Sequence, residues 1–397
     1  MSLVRFFNLS EPVVPLFRDL GAALADEGHG VEFVVSRSSY RGGDDHLGTA
    51  VPNARVIATR GPRRQFETRV GRGLAMLAYW LGASWTILTA RRPRVNVFLT
   101  QPPCFVGLGV RLAKLRRQPC IVVVMDVHPD ELVSFNVLSA SSLVARALDR
   151  LMRGALRKAD RIIVIGRCMG DRIQAKGVRP QRVVVVPNWV DDKAILPVER
   201  SANHVRDALD WGDDFVLMYG GNVGYAQEFS TLIDVASRID RHEGIRVAVV
   251  GDGSHASAVR AGMESASGGE YHPLLHEEFS LGEVLSAADA HFISLREECT
   301  GLGVPSKTYA AMAAGRPIVY EGSSEGEIHR TVTEHGIGAA IAPGDGDALL
   351  TTIRELAADK AAWRELCVRS REVVEAEYSA EMGVQRYLDQ LRPWLGR

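Results

Sequence analysis

The feature that most limits what this chain can become is a regular alternation of apolar, β-branched runs with segments of helical periodicity. The strand-like runs are Val31–Val35, Val95–Thr100, Cys120–Met125, Arg161–Ile165, Val183–Val186, Phe215–Tyr219, Val247–Val250, His291–Leu295 and Pro317–Tyr320. Between them, Phe17–Glu27, Ser142–Lys158, Ser230–Arg238 and Leu281–Ala288 repeat apolar residues at helical spacing. A strand buried on both faces reads as continuously apolar, so this order predicts parallel sheets with helices on both sides. The expected fold class is α/β, built from doubly wound, Rossmann-like domains.

A chain of 397 residues exceeds one hydrophobic core, so two domains are expected. The pattern breaks near the middle, where Pro187-Asn188-Trp189-Val190-Asp191-Asp192 closes the first half. Leu196 through Asp214 reads as a linker, and a fresh strand begins at Phe215. The domains are therefore placed at 1–195 and 196–378. A last helix, Ala380–Leu395 with Ser379 as its N-cap, occupies 379–397 and is expected to cross back onto the first domain.

Composition narrows the partners. The formal net charge is −1, so the chain as a whole points to no polyanion such as nucleic acid. The distribution is uneven, however: from Arg41 to Arg117 the basic residues are opposed only by Asp44, Asp45 and Glu67. That block is either a solvated Arg-rich face or a surface for phosphates or an anionic membrane. Within it, Gly73–Ala90 carries no charge and is flanked by Arg72 and by Arg91, Arg92 and Arg94. It is borderline in length for a membrane span. Its Gly, Ser and Thr content, just ahead of a strand, favours a buried helix, with peripheral membrane contact as the second reading. The five cysteines (Cys104, Cys120, Cys168, Cys299, Cys367) form no CxxC pair and no metal-ligand spacing. They suit a reducing cytoplasm, and no metal site is expected. Met1–Val14 has neither the basic region nor the apolar region of a signal peptide.

Two loops could carry chemistry. Tyr219-Gly220-Gly221-Asn222-Val223-Gly224 follows a strand and precedes a helix, where glycines let backbone N–H groups approach a phosphate. Alone it could equally be a plain turn. The second, Gly301-Leu302-Gly303-Val304-Pro305-Ser306-Lys307, enters a helix of strong formers that Gly315 and Pro317 end. Ser306 suits an N-cap, but Lys307 in the first turn opposes the helix dipole unless an anion sits there. Two anion sites at the carboxyl ends of one sheet fit a diphosphate, either a nucleotide sugar or a dinucleotide. In the first half, Asp126, His128, Asp130 and Glu131 follow an apolar strand and are expected to face a cleft between the domains; a pre-helix cap is the plainer reading.

The stretches YGGNVGYAQEFSTLIDVA, VAVVGDGS, AADAHFISL and GLGVPSKTYAAMAAGRPIV resemble the donor domain of retaining family 4 glycosyltransferases of the GT-B fold. The resemblance is strongest to the subgroup that builds bacterial envelope polysaccharides. In the first half, LGAALADEGHGVEFVVS, VVVMDVHPDEL and VVVVPNWVD resemble the family's opening unit, its acceptor-side segment and its closing segment. The resemblance implies a nucleotide-sugar donor, UDP-linked by preference, held by Gly220, Gly221, Asn222, Gly224, Gln227, Gly251, Gly303, Val304, Pro305, Ser306 and Lys307. It gives catalytic roles to Asp126, His128 and Lys307, and acceptor contacts to Glu11, Asp126 and Glu131. It implies a small-molecule or lipid-linked acceptor, transfer with retention, no metal and no cofactor beyond the nucleotide sugar, in the cytoplasm or at the inner face of the membrane.

Departures from the family pattern affect the donor site. The loop positions that carry Arg and Lys in many members are Asn222 and Gln227 here, and the two glutamates eight positions apart are Leu302 and Ala310. Lys307 is then the replacement charge, with Glu297 or Glu298 as a substitute carboxylate. Two alternatives stay open: a degenerate partner of an active transferase, and a nucleotide-sugar 2-epimerase. A nicotinamide enzyme should show GxGxxG after an early strand, where this chain reads FFNLSEPVVPLF.

Overall fold

The computed structural model describes residues 2–8, 15–36, 54–59, 69–100, 102, 104–275 and 278–396. Contacts divide the chain into two units. One comprises Met1–Pro187, Gly301–Gly303 and Ala380–Arg397; the other comprises Asn188–Thr300 and Val304–Ser379.

The first unit holds a seven-stranded sheet of β1 (Leu3–Phe7), β2 (Gly30–Ser36), β3 (Arg55–Thr59), β4 (Val95–Leu99), β5 (Cys120–Val124), β6 (Arg161–Val164) and β7 (Val183–Val185). Its order is β3-β2-β1-β4-β5-β6-β7, and every pairing is parallel. The second unit holds β8 (Phe215–Asn222), β9 (Ile245–Asp252), β10 (Gly269–His272), β11 (Ala290–Ser294), β12 (Ile318–Glu321) and β13 (Gly338–Ile341). They run β10-β9-β8-β11-β12-β13, again all parallel. In each sheet the strand order reverses direction once, between β1 and β4 and between β8 and β11. Those switch points leave a crevice at the carboxyl edge where ligands of this architecture bind.

Four strands escape the reading of apolar runs. β1 sits at the centre of its sheet, but its sequence LVRFF places Arg5 in the interior. That guanidinium is fully buried and donates through Nε to Glu32 Oε2 at 2.7 Å, across the register pair Arg5–Glu32. A buried charge of this kind persists only when paired. β3, β10 and β13 are edge strands paired on one side, so polar Glu270 and His272 or the small residues of Gly338–Ile341 suffice there.

Right-handed crossovers along β3, β4, β5 and β6 place the helices Arg69–Thr89, Phe105–Leu115 and Leu143–Leu156 on one face of the first sheet. The helices Pro15–Asp26 and Ala380–Leu395 pack together on the other, with Phe17 edge-on to Tyr387 at 5.9 Å. The helix Arg69–Thr89 is not the buried helix the sequence suggested. Ala75, Tyr79, Ala83 and Ile87 face the core, whereas Leu74, Leu77, Leu81, Trp85 and Leu88 are exposed. No helix among the described residues is long and apolar enough to cross a membrane.

The change of unit falls at Pro187–Asn188, not at residue 195. Val190 N–H donates to Tyr378 O at 3.0 Å, and the Arg371 guanidinium donates to Asp192 O and Ile195 O, so 188–195 is tied to the second unit. The linker beyond it is structured: Asp289, fully buried, accepts from Arg200, Arg206 and the Val216 N–H. These bonds anchor the short helix His204–Ala208 to the start of β8.

Candidate active site

In the second unit the chemistry gathers at the carboxyl end of β8. Strand backbone continues through Gly220 and Gly221 to Asn222, beside the end of β9. Gly221 adopts φ +115°, a conformation side chains rarely take, and a Cβ on Gly251 would lie 2.0 Å from Gly221 O. The two glycines thus let adjacent backbones close to a distance that any other residue forbids. Gly224 is held by its own loop: its N–H donates to Gln227 Oε1 at 3.1 Å, and Asn222 Nδ2 would lie 2.7 Å from a Cβ there.

Lys307 opens the helix Lys307–Ala313 and turns back over this glycine turn. Its Nζ sits 3.8 Å from the Tyr219 ring centroid and would lie 3.5 Å from a Cβ on Gly221. It donates to the Tyr219 hydroxyl, which in turn donates to Asn222 O at 2.5 Å. Burial pulls the Lys307 pKa down to about 7. Among the described residues the amine meets an aromatic face and a hydroxyl but no carboxylate, leaving its charge available to an anion. Ser306 does not cap the helix as expected. It is itself helical, at φ −67° and ψ −20°, with no side-chain bond to the turn. The helix has only seven residues, so the cation contributes more than the dipole. Val304 and Pro305 are half-buried and Ser306 is exposed along this approach.

Sequence gives two further residues at this edge no role. Tyr219 stands there only as the residue opening the glycine loop, yet it seats the Lys307 amine. Arg296, after β11, donates through Nε to Gln227 O at 3.0 Å, and its N–H donates to Ala226 O at 2.9 Å. It brings a second cation, a guanidinium, to the loop where Asn222 and Gln227 are neutral, although Glu228 shares it at 3.4 Å. Glu297 and Glu298 are exposed in the next turn.

In the first unit Asp126, His128 and Glu131 come together beyond β5. Thr100 Oγ1, at the end of β4, accepts from the N–H groups of Met125 and Asp126 at 3.0 and 3.2 Å, which fixes the turn. A cis bond joins His128 to Pro129, and the short helix Asp130–Ser134 carries Glu131. His128 is buried, with Nδ1 3.2 Å from Glu131 Oε2 but not in hydrogen-bonding alignment. Burial lowers the His128 pKa to about 4. Burial first, and the Asp126 charge second, raise Glu131 to about 7. The three ligating atoms lie within 4.8 Å of one another, so these side chains could offer a divalent cation one ligand each. Asp130 is directed elsewhere: its carboxylate receives the buried Lys176 ammonium at 2.6 Å.

Gly303 departs from its expected place in the donor loop. Val127 N–H donates to Leu302 O at 2.9 Å, and a Cβ on Gly303 would lie 3.5 Å from Asp126 Oδ1. Gly301–Gly303 therefore belongs with the Asp126 turn, and the chain re-enters the second unit at Val304. Glu11 lies outside the described residues.

Comparison with known proteins gives this geometry a setting. Residues 13–189 match the family model described as a glycosyl transferase 4-like domain, and residues 214–359 match glycosyl transferases group 1. WbjE of Pseudomonas aeruginosa, named a probable glycosyltransferase, is 30% identical over 84% of this chain and 83% of its own. WcaI of Escherichia coli (strain K12), named for colanic acid biosynthesis, is 25% identical over 64% of each. Among solved structures, HepE of Anabaena in complex with UDP superposes with a TM-score of 0.74 at 13% identity, covering 98% of this chain and 99% of that one. The lipopolysaccharide glycosyltransferase WaaG gives 0.65 at 14% identity, covering 98% and 99%.

Proposed function

Since this chain belongs to the family 4 glycosyltransferases of the envelope-polysaccharide type, we propose that it moves a sugar from a nucleotide-diphosphate donor to an acceptor hydroxyl with retention of configuration. The observation that carries the reading is Lys307: a half-buried amine with no carboxylate partner among the described residues, poised over Gly221 on the Tyr219 ring. The leaving diphosphate sits at the Gly220–Gly221 strand end, where no side chain blocks its approach to the Lys307 amine. Lys307 neutralises charge as the sugar–phosphate bond breaks. Of the remaining predicted donor contacts, Gln227, Gly251, Val304, Pro305 and Ser306 line this approach.

His128, with a pKa of about 4, is a poor proton acceptor near neutral pH. The departing phosphate oxygen therefore takes the acceptor's proton. Glu131 and Asp126 hold the acceptor or donor hydroxyls. The reaction needs no metal and no cofactor beyond the nucleotide sugar, which is UDP-linked in this reading; full turnover after exhaustive chelation tests this. HepE, in its complexes with UDP and with UDP-glucose, supports a uridine donor by fold analogy. The acceptor is a lipid-linked or small-molecule alcohol, and the enzyme works in the cytoplasm with its first unit touching the membrane. Product anomeric configuration by NMR tests the stereochemistry, and an inverted product would reject it.

A further inference from the structure

The helix Arg69–Thr89 is seated and yet leaves an apolar face unused. Its inner face is complete: the Tyr79 hydroxyl donates to Val34 O at 3.3 Å, Thr59 packs where Gly82 lacks a Cβ, and Tyr79 and Trp80 meet Phe105. On the other side Leu74, Leu77, Leu81, Trp85 and Leu88 fall within an arc of roughly 80° at 100° per residue. That stripe lies nearly opposite the buried residues. Leu81 is 66% exposed and Trp85 69%, and the five side chains form one contiguous apolar stripe.

Among the described residues, the charges around the stripe have one sign. The helices Arg69–Thr89 and Phe105–Leu115 contain no acid at all. Arg91, Arg92 and Arg94 are exposed just past the end of the stripe. On the helix Leu143–Leu156, two helices along the same sheet face, the single acid Asp149 is taken by Arg153 and Lys176. Arg146 and Arg150 on that helix are exposed, and they line a groove of about 550 Å³ with Arg153 and Arg157. By contrast Arg111, Lys114 and Arg116 are committed to structure: Arg111 bonds Leu151 O, Lys114 pairs with Asp160, and Arg116 closes the end of the first helix at Ile87 O and Ala90 O.

We infer that this helix face is a docking surface for an anionic lipid bilayer, with the Leu74–Leu88 stripe in the acyl boundary and the arginines on lipid phosphates. An uncharged apolar stripe ended by three arginines fits a helix lying in the interface plane. A protein partner would need acids opposite the arginines and apolar residues opposite the stripe; a bilayer of acidic lipids supplies both at once. The inference deepens the membrane contact in the proposed function and rests on that part of it alone.

The test is co-sedimentation of the full chain with vesicles of phosphatidylcholine alone or enriched in phosphatidylglycerol, at low and high salt. Binding is expected only to the acidic vesicles and is expected to weaken as salt rises. The pair Leu81→Glu/Trp85→Glu should weaken binding more than about tenfold, because both side chains leave the acyl boundary. Arg91→Ala/Arg92→Ala/Arg94→Ala should weaken it on acidic vesicles and lessen the salt dependence. Thermal unfolding of each variant reports the fold, and stabilisation by a nucleotide sugar reports the donor site independently. Failure to bind acidic vesicles, or equal binding by the stripe variants, would overturn the inference. So would a dimer in solution that Leu81→Glu/Trp85→Glu dissolves, since the stripe would then serve a second copy.

Discussion

Replacing Lys307 by methionine keeps the stem that lies along Tyr219 and removes only the charge. A unit charge about 4 Å from a phosphate oxygen is worth roughly 4 kcal/mol at an effective dielectric near 20. Part of the amine's hydration is already lost in the folded protein, as its pKa of about 7 attests, so little of that gain is spent on desolvation during binding. Loss of a charge-assisted bond of about 2–3 kcal/mol then predicts donor affinity weakened roughly 30- to 150-fold, with a comparable fall in kcat/KM. Because folding disfavours the charged amine, the variant's own melting temperature should hold or rise. Calorimetric titration with the donor nucleotide and initial transfer rates read both quantities. Affinity and turnover within twofold of the parent would refute the assignment of Lys307 to the diphosphate.

Donor affinity should also depend on pH through the same residue. Its pKa of about 7 means that the amine meets the diphosphate already charged only well below pH 7. Above that, binding must first take up a proton, so affinity falls by up to about tenfold per pH unit until the bound amine's own pKa; in Lys307→Met this slope vanishes. Gly251→Ala forces a methyl group to 2.0 Å from Gly221 O, which should cost the second unit roughly 2–4 kcal/mol and abolish donor stabilisation in a thermal melt. The Asp126 turn has opposed pH slopes. Glu131, raised from 4.5 to about 7, contributes stability below pH 4.5 that is lost as pH rises through 7. His128, lowered from 6.5 to about 4, contributes stability above pH 6.5 that is lost as pH falls through 4. Between these limits the two nearly cancel. Glu131→Gln should therefore gain stability as pH rises from about 5 to 6.5, measured by denaturant midpoint. A flat midpoint in that variant would reject the paired assignment.

The molecule shows where sequence pattern carries information and where it runs out. Central strands such as Val95–Leu99 and Cys120–Val124 are buried on both faces, so only apolar residues fit and the runs are visible. β1 is just as central, but Arg5 is legible as interior only once Glu32 is known to pair with it across the register. The helix Arg69–Thr89 reads as uniformly apolar along the chain. Only packing separates the Tyr79 side, seated on the sheet, from the Trp85 side, which is not. At the candidate site the glycine pair and Lys307 announce themselves by local conflict: a cation at a helix start and glycines at a strand end. Tyr219 and Arg296 carry no such conflict; they matter because β8 and β11 are adjacent, a relation no spacing in the chain reveals. Gly303 reads as continuous with Lys307, yet it packs on Asp126 because the chain changes units between them.

The most direct measurement is a thermal-shift panel of the intact chain against UDP-, GDP-, dTDP- and ADP-sugars, with chelator present. A ligand that binds only the folded state stabilises it by about 2.7 kcal/mol at a hundredfold excess over its dissociation constant. A donor site centred on Lys307 and Gly221 predicts a selective rise with one nucleotide, the uridine series, that Lys307→Met removes. No rise with any nucleotide sugar, or one that Lys307→Met leaves intact, would contradict it.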